Sequence, residues 1–424
     1  MKISTVRTVV LISLFFFCSS YALAKDVAEK KWNIWLDNLK NEMISRGISY
    51  KTIEKAYGDN TYYHKKPEVV EKDKQQTEFI LTSSDYLNRI VNKKRVEDAR
   101  KHYKSLRKKY KNLENEYGVP LNYLTAFWAI ETNFGQNKGK YHLIDGLTNL
   151  SYKNRRAKFF KNELYNVLKI MEKFDLKNEK MMGSWAGAMG HFQFMPSTYN
   201  AFAIDYDNDG ITDIWDSFDD AIASASNYLN ALGWQKNEPW GIKVSLPWNF
   251  DYNMIGYNVV KSLADWKKIG IKSIDAKKIA LNQNLKGSII IPDGKKGDAY
   301  LIFSNFRCIM KWNRSENYAL AVAILADYIK NSEQYKPIVY EGKYALTKDE
   351  IKKVQVFANK ILKTKLRKDG VLGSKTKHAV KILQKKAKMP QDGYPDYQLL
   401  LKIDRYNPKI GFSVPVQPMK IVKK

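Results

Sequence analysis

The segment LNYLTAFWAIETNFG, residues 121–135, constrains this chain more than any other, because it reads as a core helix that nevertheless carries a carboxylate. On a helical period Leu124, Phe127 and Trp128 lie seven, four and three residues before Glu131, so its side chain shares their apolar face. Burial disfavours the charged form of a carboxyl group and raises its pKa. Such a glutamate can hold a proton near neutral pH and pass it to a leaving group, which is the work of a general acid. The same pattern fits a structural glutamate paired with one of the chain's many cations, since ion-pair networks also perturb pKa values. The segment alone leaves both readings open.

The start of the chain, MKISTVRTVVLISLFFFCSSYALAKD, has Lys2 and Arg7, an apolar run from Val9 to Cys18, then Ala22-Leu23-Ala24. That order predicts a secretory signal peptide over 1–24. The run is short of the ~20 residues needed to span a bilayer, and Phe16 and Phe17 before Cys18 do not suit a lipidation signal. With the leader gone Cys308 is the sole cysteine, no intramolecular disulfide can form, and stability must come from packing. The composition allows that, with 44% hydrophobic and 13% aromatic residues. The formal charge is +28, falling to +26 once Lys2 and Arg7 leave, which favours an anionic partner or reflects a lysine-rich solvated surface. No zinc-finger spacing or RNA-binding signature is present and export points away from nucleic acid.

Residues 25–117 are helical in pattern, and Gly118-Val119-Pro120 breaks them before the Glu131 helix. Glycines cluster in MMGSWAGAMGHFQFMP, residues 181–196, as in a loop with close backbone approaches. Residues 217–232 read as a helix, short alternating runs between Trp240 and Phe303 as a few strands, and ENYALAVAILADYI as a closing helix. The expected organisation is a catalytic domain over 25–331, a linker over 332–344, a helical module over 345–408 and a tail over 409–424. In the module, Ser374 is the expected N-cap of the second helix and PDYQLLLKI a short third one, with little after Tyr406 to impose order. The fold class is mainly α, with an α+β portion.

The segment DYDNDGITDIWD, residues 205–216, has acids at loop positions 1, 3, 5, 9 and 12 and Gly210 at position 6. That is the EF-hand arrangement, so Asp205, Asp207, Asp209, the Ile211 carbonyl, Asp213 and Asp216 form a candidate Ca²⁺ loop. Five acids in twelve residues repel one another, and a bound cation removes that penalty. Asp216 in place of the longer glutamate and Thr212 at the usual apolar position depart from the pattern, and a solvated Asp/Gly turn is the alternative. A single such loop suits a structural ion better than a sensor. No organic cofactor is expected.

The motifs ETNFG, GSWAGAMGHFQFMPSTY, the acidic loop ending IWD, NYLNALGW and WNRSENYALAV resemble, in order and spacing, the lytic murein transglycosylases of the membrane-bound transglycosylase B type, glycoside hydrolase family 103. The resemblance covers about Gln75 to Ile329 and implies a lysozyme-like catalytic domain that cleaves the MurNAc–GlcNAc β-1,4 bond of peptidoglycan without hydrolysis. The family's acid/base matches Glu131, and its active-site serine and glutamine match Ser184 and Gln193. Tyr86 matches the tyrosine before the first motif. The family's Tyr-Asn followed by Tyr becomes Trp312, Asn313 and Tyr318, a departure that leaves the hydrogen-bonding role of the first position open while keeping its stacking face. Tyr228 is a further aromatic candidate for the cleft.

A two-carboxylate glycosidase would need a partner acid roughly 5–9 Å from Glu131, and none of the matched motifs supplies one beyond the loop aspartates. A single-acid route to a 1,6-anhydro sugar fits better. The C-terminal module, with Asp369-Gly370, Gly373, Thr376, Gln384 and MPQDGYP, resembles a helical peptidoglycan-binding domain, which would concentrate the enzyme on its substrate. The implied setting is the periplasm, at the cell wall or membrane surface. The expected state is a monomer acting on glycan strands, with a cell-wall enzyme complex as a further partner. A catalytically inactive binding scaffold and a hydrolytic lysozyme are the competing readings.

Overall fold

The computed structural model describes residues 29–58, 69, 82–152, 154–176, 178–274, 282–331, 333–338, 346–409 and 411–412. The leader and most of the linker lie outside these residues. Two compact units emerge, one drawn from Met1–Gln75 and Lys138–Asp216, the other from Gln76–Asn137 and Ser217–Lys424. Among the described residues no helix is long and apolar enough to cross a membrane.

In the first unit the amphipathic helix Ala157–Lys173 packs against Leu143–Ser151 and Pro196–Phe202. Leu143–Ser151 is buried along its whole length, so its polar side chains must find internal partners. Asn149 and Ser151 donate to carbonyls one turn back, and Thr148 pairs with the Tyr57 hydroxyl at 3.0 Å. Buried Glu163 accepts from the N–H and hydroxyl of Ser197, both at 2.9 Å, and so ties the next helix down. Strands β1 (Tyr141–His142) and β2 (Met182–Gly183) pair antiparallel, Tyr141 opposite Gly183. A Cβ at Gly183 would meet the Ala188 carbonyl oxygen at 2.3 Å, so only glycine lets the following turn fold back on the strand.

The second unit is built around the helix Leu121–Thr132. Its residues 121–129 are all buried, so it is a central helix and not one with a single apolar face. Helices Glu316–Lys330 and Lys93–Lys109 pack on it. Truncating Phe127, fully buried here, to alanine would cost about 3–5 kcal/mol. The expected strands form an antiparallel sheet in the order β4-β6-β7-β3-β5, with β3 Gly241–Ser245, β4 Lys261–Ser262, β5 Lys272–Ser273, β6 Lys286–Ile290 and β7 Ala299–Ile302. Ser288 of β6 and Gly241 of β3 both register on Ile302 of β7. Behind the sheet Trp266 is fully buried, and its indole N–H donates to the Gly287 carbonyl at 2.9 Å.

The C-terminal module is a three-helix unit, Lys348–Leu362, Ser374–Lys386 and Tyr397–Asp404, around Val354, Val380, Leu383 and Leu399. A capping box between Thr347 and Glu350 starts the first helix. The second is capped by Gly373 and not Ser374, because Ser374 already has helical position and its side chain makes no cap bond. Past the third helix, Asn407 bridges to Gly411 and Phe412 packs on Phe357 and Tyr406, while residues 413–424 lie outside the described residues. Two buried glutamines repeat one device. The Gln355 amide donates to Asp369 and its carbonyl accepts from Gly370 N–H, while Gln384 does the same with Asp392 and Gly393. Each pins an Asp-Gly turn to a helix.

Candidate active site

Glu131 stands one residue before the end of its helix, where the chain reverses abruptly. Asn133, Phe134 and Gly135 take φ values of 49°, 60° and 81°, three left-handed residues in a row. Asparagine and glycine tolerate that region, but a bulky residue there is uncommon. Phe134 is held in place by stacking on the His102 ring at 4.3 Å and by an edge contact with Trp128 at 5.5 Å. The Thr132 hydroxyl accepts the Gly135 N–H at 3.0 Å and closes the turn. The half-buried Glu131 side chain is thereby presented at a helix end supported by a packed aromatic cluster.

Two donors converge on one oxygen of Glu131. The Trp312 indole N–H donates to Oε1 at 3.1 Å and the Tyr318 hydroxyl donates to the same atom. Both come from one corner. Trp312 ends the helix Ser304–Trp312, Asn313 is extended, and Ser315 caps Glu316–Lys330 by accepting the Tyr318 N–H at 3.2 Å. The Trp312 ring packs against Phe127 at 4.6 Å and Tyr228 at 5.1 Å. Tryptophan in this position supplies a hydrogen-bond donor to Glu131 and a ring packed between Phe127 and Tyr228.

Asn313 Oδ1 accepts the Ser315 N–H at 3.1 Å, so part of its work is to shape the corner. Tyr86 lies in the helix Ser83–Ile90, which packs on Glu316–Lys330, and is buried at 7% exposure. The structure thus gathers Trp312, Tyr318 and Tyr228 with Glu131 and Phe127.

Ser184 and Gln193 belong to the first unit. The Ser184 hydroxyl oxygen accepts from Ala186 N–H at 3.3 Å and Ala188 N–H at 2.9 Å, which leaves its proton to donate. Gln193, at a φ of 51°, donates its amide to the carbonyls of Lys138 and Gly190 at 3.2 and 3.1 Å, and its Oε1 remains an acceptor. One is therefore a donor and the other an acceptor, a difference the residue types alone did not reveal. Lys138 is a participant that no motif or spacing pointed to. Its carbonyl holds Gln193, and its ammonium group donates to the Trp215 carbonyl and lies 3.4 Å from Asp216.

In the acidic loop Asp205, Asp207 and Asp209 each bring a carboxylate oxygen within 4.8 Å of the others. Gly210 turns the chain at a φ of 90°, and its N–H donates to Asp205 Oδ2 at 2.9 Å. Asp213 and Asp216 are not in that group. Asp213 Oδ1 accepts the N–H groups of Trp215 and Asp216 at 2.7 and 2.9 Å, and Asp216 faces Lys138. Buried Asp205 Oδ1 has no hydrogen-bond partner, the state of an oxygen shaped for a hard cation. Ile211 is 51% exposed, with its N–H on Asp209 Oδ1 at 2.8 Å. The donor set fits Ca²⁺.

A family model for the transglycosylase SLT domain matches residues 31–327, and one for a peptidoglycan binding domain matches residues 347–403. The membrane-bound lytic murein transglycosylase B of Escherichia coli (strain K12) is 32% identical over 213 residues, 49% of this chain and 56% of that protein, so the match spans little more than half of the relative's length. SltB3 from Pseudomonas aeruginosa, solved in complex with NAG-anhNAM-pentapeptide, is 32% identical with a TM-score of 0.80, covering 88% of this chain and 99% of that one. The Escherichia coli lytic transglycosylase Slt35 in complex with calcium is 24% identical with a TM-score of 0.60, covering 69% of this chain and 92% of that one, which is a likeness of fold. The SLT match takes in the Glu131 helix, the glycine-rich turn and the Trp312–Tyr318 corner, and the chain belongs to the SLT-domain transglycosylase family.

Proposed function

We propose that this protein is a peptidoglycan lytic transglycosylase in which Glu131 acts as the single acid/base. The observation that carries the reading is the convergence of the Trp312 N–H and the Tyr318 O–H on Glu131 Oε1. With Oε1 held by both donors, Oε2 is the oxygen left to exchange a proton with the substrate. Neither donor is acidic enough to serve as a second catalytic carboxylate, in keeping with a one-carboxylate route.

Glu131 donates its proton to the glycosidic oxygen as the bond from that oxygen to the MurNAc C1 breaks. The substrate's own acetamido group stabilises the cationic sugar, and the two donors steady the carboxylate left behind. That carboxylate then removes the proton from the MurNAc O6 hydroxyl as O6 bonds to C1, which restores the acid and yields a 1,6-anhydro end. Exclusion of water favours this intramolecular attack over hydrolysis. By the likeness of their motif, Ser184 and Gln193 orient the glycan, one as donor and one as acceptor, with Tyr86, Tyr228, Asn313 and the Trp312 face contributing to sugar binding.

The loop at 205–216 takes a structural Ca²⁺ through Asp205, Asp207 and Asp209, with the Ile211 carbonyl, Asp213 and Asp216 completing the shell once the last two turn from the backbone N–H groups and Lys138 that they now face. The protein is exported to the periplasm, as the leader predicts. It acts as a monomer, since one chain carries both the Glu131 group and the peptidoglycan-binding module, and cell-wall enzymes are its natural associates. Mass spectrometry of digested sacculi tests the reaction. Anhydro-muropeptides are expected. Reducing ends would make the protein a lysozyme, and no release at all would make it a binding scaffold.

A further inference from the structure

The second unit contains a cleft of 770 Å³ apart from the Glu131 group. One side is the C-terminal module and the other is formed by the end of β6, the turn after it and the 314–317 corner. The two sides are joined by hydrogen bonds from the Lys295 N–H to Asp392 at 3.1 Å and from the Lys381 ammonium to the Tyr252 carbonyl at 3.2 Å. Its volume lies within the roughly 300–1,000 Å³ typical of sites for compact organic ligands.

The charges around it are unequally engaged. Asp293 accepts the N–H groups of Ser83 and Ser84 at 2.7 and 2.9 Å, Glu316 the Tyr257 hydroxyl at 2.7 Å, Asp392 the Gln384 amide at 2.6 Å, and Asp396 the Leu399 N–H at 2.9 Å. The cations are divided: Lys296 lies 3.8 Å from Asp396 and Lys377 4.0 Å from Glu316, while the Lys381 ammonium is held by the Tyr252 carbonyl. Among the described residues Lys295, Lys348 and Arg314, all lining the cleft, form no ion pair. Three separated positive groups interspersed with apolar surface from Ile291, Leu372 and Tyr394 suit an extended ligand with several carboxylates and small aliphatic side chains better than a compact anion.

We propose that this cleft binds a carboxylate-bearing peptide stem of peptidoglycan. The proposal rests on the peptidoglycan reading above and adds a subsite to it. The corner that carries Trp312 and Tyr318 to Glu131 also carries Arg314 and Glu316 to the cleft, so one seven-residue segment borders both. A stem held there biases which disaccharide of a strand is presented to Glu131, and stem-bearing glycan is preferred over bare glycan.

The test uses the full chain with Glu131→Gln, titrated calorimetrically with the tetrapeptide L-Ala-D-Glu-meso-diaminopimelate-D-Ala. Saturable binding is expected, weakened about tenfold or more by Lys295→Gln combined with Lys348→Gln and by amidating the peptide's carboxylates. Absence of binding, indifference to the double substitution, or displacement of the peptide by an equal concentration of inorganic phosphate would each overturn the proposal. Sacculus digestion by the unmodified enzyme is measured in parallel. Peptide binding without anhydro-muropeptide release removes the catalytic reading and leaves the cleft, while release without peptide binding does the reverse.

Discussion

At Glu131 one carboxylate oxygen is held by the side chains of two aromatic residues, whereas in the loop at 205–216 the carboxylates are held largely by the loop's own backbone N–H groups. The first arrangement needs distant chain brought to a rigid helix end, whereas the second is mostly local, with Lys138 the distant group at its Asp216 end. A group that must exchange a proton with substrate has to be aimed by rigid elements, because a misplacement of about 1 Å can cost a hundredfold in rate. A group that only collects charge needs proximity, and local turns provide it. On the roles proposed for them, the difference separates chemistry from stability.

The sharpest way to break this comparison is Glu131→Gln, which preserves shape but cannot exchange the proton. Anhydro-muropeptide release should fall by about 10²–10⁴-fold with the melting temperature unchanged. Substantial turnover in that variant removes the catalytic assignment.

Next in size are Tyr318→Phe and Trp312→Phe. A hydrogen bond to a charged group is worth about 1.5–3 kcal/mol, so each should slow release by about tenfold or more. Because both donate to Oε1, the double variant should lose less than the product of the two single losses, which a double-mutant cycle of initial rates would read. Full additivity would mean that the two act separately.

On the other side of the comparison, millimolar Ca²⁺ added to chelator-treated protein should raise its melting temperature by on the order of a few degrees. Asp205→Ala with Asp209→Ala should abolish the response while the calcium-saturated rate stays close to that of the unmodified protein. A melting temperature indifferent to Ca²⁺ would return the loop to a solvated acidic turn. The smallest expected effects are those of Ser184→Ala and Gln193→Ala. Each removes a neutral hydrogen bond worth about 0.5–1.5 kcal/mol, a roughly 2- to 12-fold loss in kcat/KM on glycan strands. Finding either as disabling as Glu131→Gln would reassign the roles.

Much of this molecule could be read along the chain, because helices and turns are written in local periodicity. The helices at 121–132, 218–231 and 316–330, the strands between Trp240 and Phe303 and the three-helix module follow from apolar spacing, caps and glycines a few residues apart. Glu131 could be singled out for the same reason, as a carboxylate among residues one and two turns away. The acidic loop announced its composition, but the grouping of Asp205, Asp207 and Asp209 apart from Asp213 and Asp216 depends on how the turn folds and on Lys138, 78 residues from Asp216. Trp312 and Tyr318 reach Glu131 across 181 and 187 residues, and no periodicity links positions that far apart. Their convergence follows from packing around the central helix, and the cleft beside the C-terminal module likewise exists only once distant segments meet. Side-chain direction at a helix end is set by what the whole core lets it touch, and that is decided when the chain closes on itself.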